Sequence, residues 1–479
     1  AAAPTPAPTQ APAAATPAPV PDKAAPTPAL APAKPTPAPA LTPAAPAAAA
    51  PSADKPRYGG ILISAVGGDP PGLDPHQEST YAVIMPVGPF YNNLIQYDPL
   101  DQKKIIPDLA ERWEASGDGL TYTFYLRKGV QWHDGRPFTG EDVKYSLDRI
   151  RLKFTGMRTS PRQTNLDSVK EVTVVDPYTV NVALKYASAS FIPLVANPWN
   201  VIMPKHVLEA EGQDALTRKA LGTGPLKFKE FIRGVSLEGV KNPDYFVPGR
   251  PYLDGYRTMV IPDKFSMVVA LRTGRILLYR YPGLLPTETA KLRKELGDEI
   301  VIDGQPYLVK HNASSNWRRP PLNDVRVRQA LSLASDRKAY WQIIAQGEGL
   351  ISGPMSQVGS WGLPTETLAA LPGYSPDREA NLARARKLLA EAGFKDGFRT
   401  TITTRADLSS GSIPTAEFLV SAWKEIGVKA EMKILETAAF YRTIEAADFD
   451  TMVMSFGMPV DDPDLVFGEH YVAASPRNY

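Results

Sequence analysis

Three acidic side chains, Asp461, Asp462 and Asp464 in the segment GMPVDDPD (457–464), form the densest group of residues in this sequence able to do chemistry. A carboxylate beside a turn can take a ligand ammonium group through a charge-assisted hydrogen bond, which is stronger than a neutral one. The same residues also cap helices and close Asx turns, so from the residues alone both roles stay open. Arg405 and Arg442 are candidates for a ligand carboxylate, because a guanidinium can hold two oxygens at once; an exposed or intramolecularly paired arginine is the alternative. Trp199, Trp317, Trp361 and Phe456 stand in or beside loops, where an aromatic face can stack on a sugar, a peptide bond or another ring, or simply pack. Asp134-Gly135, within Trp132-His133-Asp134-Gly135, reads as a turn and not as an acid/base pair. With no evident pair of nucleophile and base, no catalytic residue is assigned. The five histidines, at 76, 133, 206, 311 and 470, lack metal-ligand spacing. Gly222-Thr223-Gly224-Pro225 has neither the lysine nor the spacing of a P-loop, and no Rossmann fingerprint follows a strand. No metal or cofactor is expected.

These residues need elements to hold them. ILISAV (61–66) followed by GGDPPGLDP reads as a strand running into a Gly/Pro-rich loop. Leu120, Tyr122, Phe124 and Leu126 alternate with Thr121, Thr123 and Tyr125, the period of a half-buried strand. Two strand-like runs flank Asp176-Pro177 and predict a hairpin over 169–184. Farther on, a helix is predicted from near Asp377, with Ala383, Leu388, Leu389 and Ala392 on one face and a stop at Gly393. A second carries Phe418, Leu419, Ala422, Trp423 and Ile426 and stops at Gly427. The strand VKAEMKIL, a helix with Phe440 and Ile444, and the strand TMVMSF (451–456) follow. Such alternation predicts an α/β domain with a substantially parallel sheet. Ligands of open α/β sheets collect outside the carboxyl ends of the strands. Three loops therefore qualify as a binding site: 67–74, with Gly67, Gly68 and Asp69; 405–411, headed by Arg405; and 457–464, which follows Phe456 and holds Gly457, Asp461 and Asp462.

Composition narrows the classes. The 53 Lys and Arg against 51 Asp and Glu leave a net charge of +2, so nothing favours nucleic acid or an acidic membrane surface as partner. The absence of cysteine excludes disulfides, thiolate metal sites and a cysteine nucleophile. No run of about 18 apolar residues is present to span a bilayer. Residues 1–55 are almost wholly Ala, Pro and Thr, and proline at that density removes backbone donors and blocks helix and sheet alike. A disordered, partly polyproline II tether is expected there, reaching on the order of 170 Å when extended. A chain opening at Ala1, without an initiator Met or an apolar leader, is expected to be a mature or trimmed product.

Five segments, in order, carry a family resemblance: LAERWEASGDGLTYTFYLRKGVQWHDGRPFTGEDVKYSLDRI (109–150), GTGPLKFKEF (222–231), KNPDYF (241–246), PYLDGY (251–256) and LNDVRVRQALSLASDRKA (322–339). The chain resembles the extracytoplasmic solute-binding proteins of family 5, which serve peptide and nickel ABC importers, over roughly residues 57–479. The resemblance implies a two-lobe α/β protein of the periplasmic-binding-protein (venus-flytrap) type with an enlarged N-terminal lobe. It places that lobe at 56–95 and 215–305, an inserted subdomain at 96–214, and the C-terminal lobe at 306–479, with the outward crossing near 304–312. In peptide-binding relatives an aspartate just before the Asp-Pro-Asp takes the ligand's amino group. Pro459 stands at that position here, and Asp461 is a nearby substitute. Family members run several tens of residues past this region, so the C-terminal lobe is expected to be incomplete and less stable than the N-terminal one.

The functional expectation is an extracytoplasmic binding protein, monomeric, its Ala/Pro/Thr-rich segment being either the tether to a lipid anchor upstream of residue 1 or a linker with no anchoring role. It would close its lobes on a peptide or other small polar solute and deliver it to an ABC permease. Ligand drives such closure only by its differential affinity for the closed state. Two alternatives stay open: a ligand sensor reporting to a membrane receptor, and a hydrolase using the Asp461, Asp462 and Asp464 carboxylates.

Overall fold

The computed structural model describes residues 56–479 except 102, 281–282, 304–308, 358–359, 407–410, 458–460, 474, 476–477 and 479. The tether expected over 1–55, Pro459 and most of the crossing placed near 304–312 lie outside the described residues. The chain enters through β1 (Ile61–Val66), whose buried Ala65 and Val66 lead into a loop that is itself buried. It then builds a separate layer. β2 (Ile95–Tyr97) pairs with β3 (Ile105–Pro107), and β4 (Ala110–Ala115), β5 (Thr121–Leu126), β6 (Val169–Asp176) and β7 (Thr179–Leu184) form an antiparallel sheet in the order β4-β5-β7-β6. β8 (Leu226–Ile232), β9 (Ser236–Lys241) and β10 (Gly255–Val260) return to β1, giving the order β1-β10-β9-β8 with β1 parallel to β10. The other lobe holds β11 (Val309–Ser315), β12 (Arg399–Arg405), β13 (Lys429–Leu435) and β14 (Thr451–Gly457) in the order β11-β14-β12-β13. Its sheet is parallel at β14-β12-β13, as the helix-strand alternation requires, and β11 joins β14 antiparallel.

Local chemistry accounts for these elements. Phe124 and Leu126 of β5 are buried, while Tyr122 on the same face lies 4.7 Å from the Phe191 ring. The β6–β7 turn closes as an Asx turn, Asp176 Oδ1 accepting the Tyr178 N–H at 2.8 Å. The helix Arg378–Glu391 starts where predicted, with the Asp377 carboxylate accepting Ala380 N–H at 3.0 Å. Of the face expected, Leu389 is buried and Leu388 and Ala392 pack half-buried against the core, and only Ala383 is out of place. Leu382, Ala385 and Leu389 are buried and Ala383 is exposed, because the helix presents that stripe to the helix Val325–Ala334.

Two of the sequence segments meet at one joint. The His133 ring sits between Gly222 and Gly224, its Nδ1 accepting the Gly222 N–H at 3.2 Å and its Nε2 donating to Gly224 O at 3.0 Å. Both glycines press on the Phe90 backbone, and a Cβ on either would overlap it. Asp134-Gly135 is a turn, with Gly135 at φ +86°, and Trp132 is a core side chain. The motif is therefore structural.

A buried ion pair ties the loop after β1 to the inserted layer. Arg149, on the helix Gly140–Arg151, donates to Asp74 from Nη2 at 2.7 Å and from Nη1 at 3.2 Å, and neither side chain is more than 1% exposed. Burial alone would raise the Asp74 pKa, but the Arg149 charge and hydrogen bonds outweigh it and hold the carboxyl below its ordinary value. His76 donates Nε2–H to Val201 O at 2.8 Å and is pushed down to about 3, first by burial and then by Arg149. Replacing Asp74 by Ala strands the guanidinium in an apolar setting, and the expected loss of stability is roughly 3–5 kcal/mol in urea unfolding. The unfolded chain takes up a proton at His76 below about pH 6.5 that the folded protein refuses down to about 3, so stability is lost as pH falls through that window. His76→Gln should accordingly lose less stability than wild type between about pH 6.5 and 4.5, compared through urea midpoints.

Candidate ligand-binding cleft

Arg405 ends β12 and Gly457 ends its parallel neighbour β14 in the C-terminal lobe, so both strands finish at one edge of the sheet, β14 running on past Arg405. Arg405 is buried, donating Nη1–H to Tyr441 OH at 3.1 Å and to Thr80 Oγ1 at 3.3 Å, the latter 325 residues away in the other lobe. Thr80 Oγ1 also accepts the Ala82 N–H at 3.3 Å, capping the helix Tyr81–Val87 and so fixing where its hydroxyl points. The next residue, Tyr81, lies against Gly457, and its ring is 6.2 Å from Trp199, which carries the Arg162 guanidinium 3.9 Å above it. At the rim Arg158 bridges Glu78 at 2.8 Å and Glu445, on the helix Thr437–Glu445, at 3.3 Å. Glu78 is raised to about 7 by burial, against the Arg158 charge.

Of the residues singled out in the sequence, the structure brings some to this seam and gives others local work. Gly68 has open space where a side chain would begin, and Gly67 beside it is half-buried. Asp69 accepts the Gly234 N–H on both oxygens at 2.9 Å and so holds the β8–β9 turn. Phe456 is buried among Phe440, Ile444 and Met454, with His470 4.3 Å from its ring. Asp461 accepts the Ser360 N–H at 2.7 Å, and Asp462 caps the helix Pro463–His470 by accepting the Asp464 N–H at 2.9 Å. Burial pushes Asp462 upward despite that hydrogen bond. Tyr97, from the inserted layer, is close enough that Asp462 and Asp461 add to the effect of burial in pushing its hydroxyl up to about 12. Trp317 and Trp361 are about half exposed, at 51% and 55%, Trp199 is buried, and Arg442 lies on an exposed helix face.

The helix Pro463–His470 also touches the inserted layer. Ser190 donates its hydroxyl to Asp464, Asn165 Nδ2 donates to Glu469 at 3.2 Å, and Leu465 packs on Leu194. On the far side of β14, His311 of β11 faces Ser455, with 3.0 Å between Nδ1 and Oγ. Its ring keeps solvent contact, and the protein packed around it lowers its pKa. The preceding Lys310 donates Nζ–H to Pro354 O at 2.8 Å and is lowered by burial to about 8. Thr80, Tyr81, Tyr97, Lys310 and His311 were not singled out as ligand residues by pattern. Only the Ser-Thr pair before an apolar helix hinted at Thr80, as a cap.

Among the described residues no group of three His, Asp or Glu side chains is placed to hold a metal ion, and no helix is long and apolar enough to cross a membrane. Residues 104–475 match the family described as bacterial extracellular solute-binding proteins, family 5 middle. The chain belongs to that family. The dipeptide-binding protein of Escherichia coli (strain K12) is 26% identical over 444 residues, covering 86% of this chain and 79% of its own. The Helicobacter pylori ABC transporter-associated periplasmic binding protein DppA, solved with the peptide STSA, superposes with a TM-score of 0.77 at 27% identity, over 88% of this chain and 84% of that one. AgaA from A. tumefacien R10, in complex with agropinic acid, gives 0.72 at 26% identity over 87% and 81%. This family-5 protein is thus an extracytoplasmic solute-binding protein with the two-lobe α/β fold, a partner of an ABC permease, in a family of binding proteins and not of enzymes. Because Asp462 caps a helix, Asp462→Ala should lower stability by about 1 kcal/mol, read as a lower thermal midpoint in ligand-free protein.

Proposed function

We propose that this family-5 protein binds a short peptide, or a similarly small polar solute bearing an amine, between its lobes and hands it to the permease. The observation that carries the reading is the placement of Asp461 and Asp462. Both follow the carboxyl end of β14, lie near Tyr97 of the opposite lobe, and take part in no ion pair with a described Lys or Arg. Uncompensated negative charge at the meeting line of two lobes attracts a cation, and a charge-assisted hydrogen bond there is stronger than one in water. Gly67 and Gly68 leave backbone accessible to an extended ligand, with Gly457, covered by Tyr81, and Asp69 and Phe456 supporting the walls. Arg405 acts at the same line through Thr80, or on a ligand carboxylate. The dipeptide-binding relative and the STSA complex of another are consistent with a peptide; the agropinic acid complex keeps other small solutes open. In this reading residues 56–95 and 215–305 form one lobe, 96–214 its insertion and 306–479 the other lobe. The Ala/Pro/Thr-rich segment tethers the head to a lipid anchor, which mass spectrometry of membrane-extracted protein would detect.

Isothermal titration with dipeptides and with their N-acetyl forms tests the anchor. Free dipeptides should bind, acetylated ones should not, and Asp461→Asn with Asp462→Asn should weaken binding by roughly 1.5–3 kcal/mol, at least tenfold. Equal binding of acetylated and free peptides would show that no amine is read.

A further inference from the structure

We propose that Tyr81 and Gly457 are a matched pair of positioning residues that sets how far the lobes close, and so how firmly a solute is held. The proposal rests on the solute-binding reading but not on the peptide. A Cβ built on Gly457 would overlap the hydroxyl and ring of Tyr81, far inside the 3.0 Å below which real Cβ contacts essentially do not occur. Tyr81 cannot simply swing aside. Its backbone is held by the Thr80 cap, its ring is backed by Trp199, and Trp199 is in turn covered by Arg162, whose Nη1 donates to Pro75 O at 3.5 Å. Thr80 accepts a hydrogen bond from Arg405 at the end of β12, so the two adjacent residues seat on the ends of two neighbouring strands.

The contact is a stop with one depth. Glycine at 457 lets the Tyr81 hydroxyl reach the β14 backbone, and any side chain there props the lobes apart by about the thickness of a methyl group. Since the ligand gains only what the closed state offers beyond the open one, a propped cleft loses affinity mainly through faster release. Gly457 is not among the positive-φ glycines, so alanine suits its backbone and the ligand-free fold should be undisturbed.

The decisive measurement is dipeptide binding and small-angle scattering on Gly457→Ala. We expect at least tenfold faster release, no compaction on adding dipeptide, and an unchanged ligand-free melting temperature. Tyr81→Ala placed on top of Gly457→Ala should restore compaction, which a merely structural role for either residue would not produce. Normal closure of Gly457→Ala, or no rescue by Tyr81→Ala, would overturn the proposal. Because the chain has no cysteine, Tyr81→Cys with Gly457→Cys can be joined by a short bismaleimide with no ligand present. An intramolecular crosslink, which traps closure however brief, supports the contact even if dipeptides prove not to be the solute; no crosslink after exhaustive reaction, with or without dipeptide, overturns it.

Discussion

A guanidinium and a carboxylate withdrawn from water, Arg149 and Asp74, fix the geometry from which the seam between the lobes is built. Each alone would be intolerable at that depth; together, with two parallel hydrogen bonds, they hold the loop after β1 against the inserted layer. The Gln77 and Gln213 side chains and the His76 backbone N–H fill remaining donor and acceptor positions around them. That loop ends at Thr80 and Tyr81. The position of the residues that meet the other lobe is thus set by a buried ion pair within their own loop's anchorage, and rigidity there is a precondition for a reproducible closed state.

The inserted layer is fastened to its lobe by close backbone approach instead of by bulk. Gly222 and Gly224 lie on the Phe90 backbone, His133 stitches both from above, and Thr223 donates its hydroxyl to Asn92 Oδ1 at 3.1 Å. Glycine serves the same purpose at Gly457, between lobes instead of within one. In each place the missing side chain lets polar backbone be covered by protein, which shields hydrogen bonds from water and strengthens them.

The acidic cluster shows how one local sequence divides its labour. Asp464 takes a hydroxyl from the inserted layer, Asp462 caps the helix it precedes, and Asp461 holds a backbone N–H of a neighbouring loop. A carboxylate accepts through two oxygens, so a capping role leaves acceptor capacity for a ligand. The structural and binding readings of these residues are therefore compatible.

Much of the architecture was legible because it is local. The alternation in β5, the Asx turn between β6 and β7, and the Asp377 cap depend on residues within a few positions of each other, and the parallel sheet of the second lobe follows from strands separated by helices. Composition and five ordered segments were enough to place the chain among the family-5 solute-binding proteins. Whether Leu382 or Ala383 of the helix Arg378–Glu391 faces inward was not legible, since both are compatible with burial and only the packed neighbour chooses between them. The seam itself was beyond any pattern: Thr80 and Arg405 are separated by 325 residues, and so nothing near either announces the other. Sequence alone determined the elements, the class and the candidate loops, because periodicity, capping and turn chemistry act over short range. The tertiary structure decided which side chains meet, because burial, charge compensation and steric exclusion exist only once distant segments share the same space.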